Sequence, residues 1–262
     1  MDIVVCIKRV PETAEAEIKI DASGRNIVQE GLVYTINEAD NYALEEALLI
    51  KERVGGTVTV ITMGQKESED TLRMGLAKGS DMAIRLDDPA FAGSDGVATA
   101  RILAACIKDL TYDLLLTGCM ASDDWFSQVG PALAELLGVP HAAMVTKADL
   151  ENGKTRASRE LEEGLLEVLD IDLPAVLTIQ TGINEPRYAS IMGIAKASKK
   201  EITVKGLGDL GLKTDQVGEA GSGTRVEKLT LPVQDKMAEL IPGSPDEAAG
   251  TLSAILKERG LV

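Results

Sequence analysis

The residues that usually carry out chemistry are sparse in this chain. The only histidine, His141, directly follows Pro140 and reads as a strand-edge packing residue. The three cysteines, Cys6, Cys106 and Cys119, have no CxxC and no metal-ligand spacing. Cys119 stands where a strand is expected to end, a place suited to a nucleophile. With no histidine near it in sequence, it reads as a small core or rim thiol. No GxSxG, HExxH, GxxxxGK or GxGxxG motif occurs. GSGTR at Gly221 follows no strand and reads as linker, and Glu45-Glu46 and Glu162-Glu163 read as solvated faces. Neither a catalytic residue nor a metal site is expected.

Binding is better represented. LLLTGCMASDDWFSQVGPALAELLG, Leu114 to Gly138, is an apolar strand, a loop and a helix expected from Asp123 to Leu137. In open parallel sheets, ligands bind outside the carboxyl ends of strands. The free N–H groups and the dipole of a helix start favour a phosphate. Asp123 and Asp124 suit N-capping, or hydrogen bonding to hydroxyls, but as anions they oppose a nearby phosphate. The phosphate contacts are therefore expected from the amides of Ala121 to Val129, with Ser122, Ser127 and Gln128. Cys6 to Arg9, Asn37 to Tyr42 and Met63-Gly64 should converge on the same edge and complete a crevice for an adenine nucleotide.

The positioning elements follow from periodicity. Strands are expected at Ile3–Val10, Thr57–Met63, Met82–Leu86, Asp113–Thr117 and Ala175–Ile179. Helices are expected at Asn37–Arg53, Glu67–Ala77 and from a Ser94 or Asp95 cap to Lys108. This alternation predicts an α/β fold with a mostly parallel, doubly wound sheet covered on both faces. After Pro140 the pattern changes to short strands at Val145–Ala148, Thr155–Arg159 and Leu165–Leu169, with ENGK as a turn. Gly206–Arg225 is Gly-rich and polar and reads as an extended arm, followed by an amphipathic helix over Asp246–Arg259.

Composition narrows the class. The 262 residues suffice for one large domain or one domain with an arm. They are 45% hydrophobic but only 3% aromatic, so the core must be aliphatic. A formal net charge of -15 argues against nucleic acid or an anionic membrane as the main partner. The start, MDIVVCIKRV, does not read as a signal peptide, and no run approaches the ~20 apolar residues of a membrane span. A reduced, cytoplasmic protein is expected. In so acidic a chain, TGINEPRYASIMGIAKASKKEI, Thr181 to Ile202, is unusual for mixing lysines with apolar residues. With no catalytic group elsewhere, it reads as a recognition surface.

In order along the chain, VVCIKRVPET, NEADNYALEEAL, VITMG, TG…ASDDWFSQVGP, Arg159-Glu160, LPAVLTIQ and NEPRYASIMGIAKASKK resemble the β subunit of electron transfer flavoproteins. The resemblance covers nearly the whole length, and its last motif is the most specific. It implies an adenine-nucleotide-hydrolase-like (Rossmann-like) domain over 1–204, including a recognition loop at 183–200. Residues 205–262 would be a C-terminal arm and helix packing on an α subunit that carries FAD, ordered mainly by that subunit.

The resemblance also implies a nucleotide site made of Cys6, Asn37, Glu38, Ala39, Asp40, Met63 and the segment Gly118 to Val129. That segment includes Cys119, Met120, Ala121, Ser122, Asp123, Asp124, Trp125, Ser127, Gln128 and Val129. The ligand would be AMP in the ordinary type, or a second FAD reduced by NADH in the electron-bifurcating type. Asp40 and Thr13 stand where ordinary members tend to have Cys and Tyr, and QVGP also matches the bifurcating type, so the reading leans to FAD. INEPRYAS is the ordinary form. Asn37-Glu38 lacks the proline that often follows the Asn, and CMASDDW departs from the usual loop.

Glu185, Pro186, Arg187, Tyr188, Ile191 and Met192 would dock acyl-CoA or other dehydrogenases, or quinone- or ferredoxin-linked redox proteins. Ile191 would be the anchor, and Arg187, Lys196, Lys199 and Lys200 would orient the approach or pair with the arm. Arg159-Glu160 would face the flavin and the subunit interface. Two other readings compete: a stand-alone nucleotide-binding regulator of the stress-protein kind, and an enzyme acting on a nucleotide.

Overall fold

The computed structural model describes residues 1–14, 16–151, 153–232 and 238–262. The chain divides into two compact units. The first comprises Met1–Lys19 and Val28–Glu227, the second Ile20–Ile27 and Lys228–Val262.

The first unit is built on β1 (Asp2–Cys6), β4 (Thr57–Met63), β5 (Met82–Leu86), β6 (Leu114–Gly118) and β10 (Ala175–Ile179). With β7 (His141–Glu151), β8 (Lys154–Glu160), β9 (Leu166–Asp172) and β11 (Thr203–Lys205) they form a nine-stranded sheet. Its order is β11-β5-β4-β1-β6-β10-β7-β8-β9. All pairings are parallel except β7 with β8 and β8 with β9.

Residues alternate across the strands, as a sheet buried on both faces requires. Ile3 and Val5 of β1, with Leu114 and Leu116 of β6, face one core with α1 (Glu38–Val54) and α2 (Glu69–Lys78). Val4, Cys6 and Leu115 face the other core, with α3 (Gly96–Ile107) and α4 (Val129–Leu137). Each fully buried leucine contributes roughly 1.5–3 kcal/mol, so the continuous apolar runs explain the central strands. α3 begins where Asp95 accepts hydrogen bonds from the amides of Val97 and Ala98.

Several expected boundaries move. The strand expected over Ile3–Val10 breaks after Cys6. Arg9–Pro11 (β2) instead pairs antiparallel with Tyr34–Ile36 (β3) in a separate two-stranded sheet. The helix expected from Asp123 begins only at Val129, because Trp125 and Ser127 adopt positive φ (58° and 53°), which a right-handed helix excludes. The short strands after Pro140 are longer than expected and form an antiparallel flank.

Residues 205–227 belong to the first unit, so the contacts divide at Glu227 instead of residue 204. Leu210 and Val217 are buried in the second core, and the short helix α6 (Gly218–Gly221) follows Val217. The GSGTR segment is tied to α3, with the amides of Gly223 and Thr224 donating to Asp95 Oδ2 at 2.8 and 3.0 Å.

In the second unit, Ile20 and Ile27 form an isolated bridge and the Leu229 amide donates to Gly24 O at 2.7 Å. Its helix, α7 (Pro245–Glu258), opens with a reciprocal Ser244–Glu247 capping box and buries none of its residues. Among the described residues, no helix is long and apolar enough to cross a membrane.

Candidate nucleotide crevice and docking surface

The strand order places the crevice. From β1 the chain moves outward to β4 and β5, and then returns to β6 on the other side of β1. The gap between the carboxyl ends of β1 and β6 is therefore the topological switch point, where ligands bind in doubly wound sheets.

Asp40, in the first turn of α1, closes that gap. Its Oδ2 accepts from the Lys8 amide and its Oδ1 from the Gly118 amide, both at 2.7 Å. One buried carboxylate thus ties the ends of β1 and β6 to the start of α1. Burial pushes the Asp40 pKa up to about 7, against the opposing effect of the two amides. Gly118 is required by this packing. A Cβ there would lie 2.5 Å from Asp40 Oδ1 and 2.7 Å from the Asp40 nitrogen.

The loop after β6 is tied to the same helix start. Asn37 is buried; its Nδ2 donates to Met120 O at 2.8 Å and its Oδ1 accepts from the Ser122 amide at 3.0 Å. Asp123 and Asp124 do not cap α4. They bind Lys8 Nζ at 2.7 and 2.9 Å, linking the loop to the end of β1. Burial opposes the Lys8 charge, but the two carboxylates outweigh it and raise its pKa. Trp125 is exposed, with its indole N–H donating to Ser122 O at 2.9 Å.

At α4 the first-turn amides of Val129 and Gly130 have no intrahelical acceptors, and Gln128 supplies no side-chain cap. Gly130 lets this helix start approach the sheet, since a Cβ would collide with Thr178 and lie 2.9 Å from Thr117 Oγ1. The end of the loop opens into a cleft of about 710 Å³. Ser127, Gln128 and Pro131 line one side, Asp95, Val97 and Arg101 of the α3 region another, and Gly221 to Thr224 a third.

The other expected site residues vary in access. Met63 ends β4, beside β1, and is partly exposed. Glu38 is exposed and Ala39 buried. Cys6 and Cys119 are buried beneath the crevice, and Cys119 Sγ donates to Gln180 Oε1 at 2.9 Å. All three thiols are free and buried, and burial raises the pKa of each. His141 pairs with Val176 at the amino end of β10, the opposite edge of the sheet from the crevice. No group of three or more His, Cys, Asp or Glu suited to a metal occurs among the described residues. Nothing local in the sequence signals the pairing of Lys8 or Asp95 and Arg101 as cleft walls, because their partners are distant in sequence.

Beyond β10, the segment expected to recognise partners folds onto α1 and α2. Its helix α5 (Ile191–Ala197) is capped by Ser190, whose hydroxyl accepts from the Gly193 amide. Tyr188, Ile191 and Met192 are 98%, 88% and 71% exposed. Glu185 is exposed and Pro186 half-buried. Arg187 and Lys200 are not free to steer a partner. Arg187 pairs with Glu45 and Glu52, and Lys200 Nζ donates to Ser80 O at 2.6 Å. On the antiparallel flank, Arg159 pairs with Glu167 while Glu160 is exposed.

Residues 25–209 match the family profile described as "Electron transfer flavoprotein domain". Among curated relatives, the electron transfer flavoprotein subunit beta of Thermoanaerobacterium thermosaccharolyticum is 40% identical over the full length of both chains. The caffeyl-CoA reductase-Etf complex subunit CarD of Acetobacterium woodii is 38% identical, again over both full lengths. Protein FixA of Azotobacter vinelandii is 36% identical over 98% of this chain and 93% of its own. The full-length matches include residues 205–262, which a stand-alone nucleotide-binding regulator would not need. The chain belongs to the electron transfer flavoprotein β-subunit family and serves electron transfer.

Proposed function

We propose that this chain pairs with an α subunit in a cytoplasmic heterodimer, holds FAD in the crevice at β1 and β6, and docks redox partners through α5. The observation that carries the reading is the Asp40 clamp at the switch point, with the free amides of the α4 start beside it. This arrangement suits a phosphate held by backbone donors.

Two observations favour FAD over AMP. Asp40 and Thr13 stand where the ordinary type tends to have Cys and Tyr. The cleft beyond Ser127 and Gln128 leaves room for a ligand larger than AMP.

When bound, the flavin supplies the electron chemistry. The chain's own part is positional. Val129 and Gly130 offer amides to phosphate, Asn37 and Asp40 hold the loop, and the Lys8 cation offsets the acids of Asp123 and Asp124. The electrons would pass between NADH or a dehydrogenase and the FAD of the α subunit. The partners would be acyl-CoA or other dehydrogenases and quinone- or ferredoxin-linked proteins. The name of CarD, which places that relative in a complex of Etf with caffeyl-CoA reductase, supports a partner that handles acyl-CoA thioesters. The exposed apolar face of α5 supplies the docking surface. Residues 228–262, including α7 with its unburied apolar side chains, supply contacts to the α subunit.

Co-expression with the α subunit, followed by quantification of released nucleotides, tests the proposal. Two FAD per heterodimer are expected. One FAD with one AMP would replace FAD by AMP in this subunit, and the absence of flavin would overturn the reading altogether.

A further inference from the structure

The docking face of α5 is exposed, yet the segment that carries it is held at both ends by buried or part-buried polar contacts. At its entry, Arg187 forks onto two carboxylates of α1. Nε lies 3.0 Å from both oxygens of Glu45, and Nη2 2.8 Å from Glu45 Oε1. Nη1 lies 2.6 Å from Glu52 Oε1. The Arg187 amide also donates to Glu45 Oε2 at 3.0 Å. Glu45 was expected on a solvated face, but its side chain is 4% exposed, and Arg187 is the cation that hydrogen-bonds this buried carboxylate. The Arg187 carbonyl accepts from Lys78 Nζ at 2.7 Å, and the same ammonium holds Asn41 Oδ1 at 2.6 Å.

At the exit, Arg73 of α2 donates to the carbonyls of Ala197 and Lys200, where a cation complements the end of α5. Between these ends α5 lies flush on α2, because a Cβ at Gly193 would collide with Ala77 O. Tyr188, Ile191 and Met192 project from this fixed base, and they begin one residue after Arg187.

We infer that Arg187 is a positioning residue for partner docking: it fixes Tyr188, Ile191 and Met192 before the partner arrives and does not touch the partner itself. The inference rests on the reading of α5 as the docking surface. A surface set in advance does not have to be ordered on binding, so its affinity is not reduced by that entropy. Lysine cannot reproduce the two-carboxylate fork, because its charge is a point with no planar geometry.

The test uses the heterodimer and a purified short-chain acyl-CoA dehydrogenase reduced by its acyl-CoA. The variants are Arg187→Gln, Arg187→Lys, Glu52→Gln and Ile191→Ala. For Arg187→Gln we expect about a tenfold rise in KM for the dehydrogenase, with kcat and bound nucleotide unchanged. Amide exchange over 188–198 should be about tenfold faster or more. Arg187→Lys should recover part of both effects. Glu52→Gln, which leaves the buried pair intact, should give a smaller change in the same direction, and it serves if Arg187→Gln does not fold.

If exchange quickens while KM stays level, in Arg187→Gln or in Glu52→Gln, the inference is overturned. Parallel loss of kcat and nucleotide also overturns it, since Arg187 would then be structural only. Ile191→Ala separates the two claims. If it raises KM but the Arg187 and Glu52 variants do not, docking stands and the role of Arg187 falls. An unchanged KM for Ile191→Ala removes the docking reading and this inference with it.

Discussion

Two loops leave the carboxyl ends of neighbouring strands and are held down by opposite means. The loop after β6 is bound chiefly through main chain, apart from the Lys8 pairs with Asp123 and Asp124. Asp40 takes the amides of Lys8 and Gly118, and Asn37 takes the amide of Ser122 and donates to the carbonyl of Met120. The loop after β10 is bound largely through long charged side chains, with Arg187 on Glu45 and Glu52 and Arg73 on the end of α5. Both loops rest on α1, one at its first turn and the other along its flank. Main-chain clamps admit almost no change at either partner, which suits a cofactor bed. Ion-pair tethers free the loop's other side chains, which suits a surface that must match a protein partner.

The largest effect should come from breaking the clamp. Asp40→Ala strands two part-buried amides at about 1–3 kcal/mol each, so a loss of about 2–6 kcal/mol is expected in denaturant unfolding, together with loss of nucleotide. A stable, nucleotide-loaded variant would mean that the crevice is not organised by this carboxylate.

Gly118→Ala attacks the same contact from the other side. The added Cβ meets the Asp40 nitrogen and carboxylate, and overpacking of this kind costs about 1–3 kcal/mol. Weaker nucleotide retention on gel filtration should accompany it.

On the other loop the two readouts should come apart. Ile191→Ala should weaken docking by roughly 1.5–3 kcal/mol, the value of one buried aliphatic side chain. Unfolding stability should change by less than about 0.5 kcal/mol, because the residue is exposed.

The clamp should also carry a pH signature. The folded pKa of Asp40 is raised from 3.8 to about 7, so between those values the folded chain holds a proton that the unfolded chain has lost. Stability contributed by the protonated form is therefore complete below about pH 4 and is lost as pH rises toward 7, by at most about 1.4 kcal/mol per unit. Asp40→Asn cannot titrate. The stability difference between it and the wild type should shift in the variant's favour across this window and level off above it. A parallel pair of pH curves would contradict the assignment.

The smallest effect belongs to Lys8→Met. Lys8, Asp123 and Asp124 are each about a third exposed or more, so the link is worth about 0–1 kcal/mol. Its loss should register chiefly as faster exchange in the 119–128 amides.

How much of this was legible depended on the kind of contact. The central strands and α1 to α3 were readable because aliphatic runs and helical spacing are local, and Asp95 was readable as a cap for the same reason. α4 begins six residues after Asp123, where its cap was expected. Asp123 and Asp124 look like caps, but they are claimed by Lys8 from 115 and 116 residues away. Pro131 was the available signal, since proline belongs in a first helical turn and places that turn near Val129. Residues 205–227 looked like a free arm because they lack apolar periodicity. They are held by Leu207, Leu210, Leu212 and Val217, packed on the second core, and by hydrogen bonds to Asp95, Ser94 and Arg101. The crevice segments were legible as strand ends, whereas nothing in the sequence connects Arg187 to Glu45, 142 positions earlier.

The three buried thiols have a practical consequence. Cys6, Cys106 and Cys119 are shielded from solvent, and their raised pKa values keep them as thiols at neutral pH. Since the thiolate is the reactive species, the folded chain is a nearly silent background for maleimide labelling. A Tyr188→Cys substitution therefore introduces a single addressable handle at the rim of α5. A fluorophore or spin label attached there would report the arrival of a dehydrogenase without first stripping out the native cysteines.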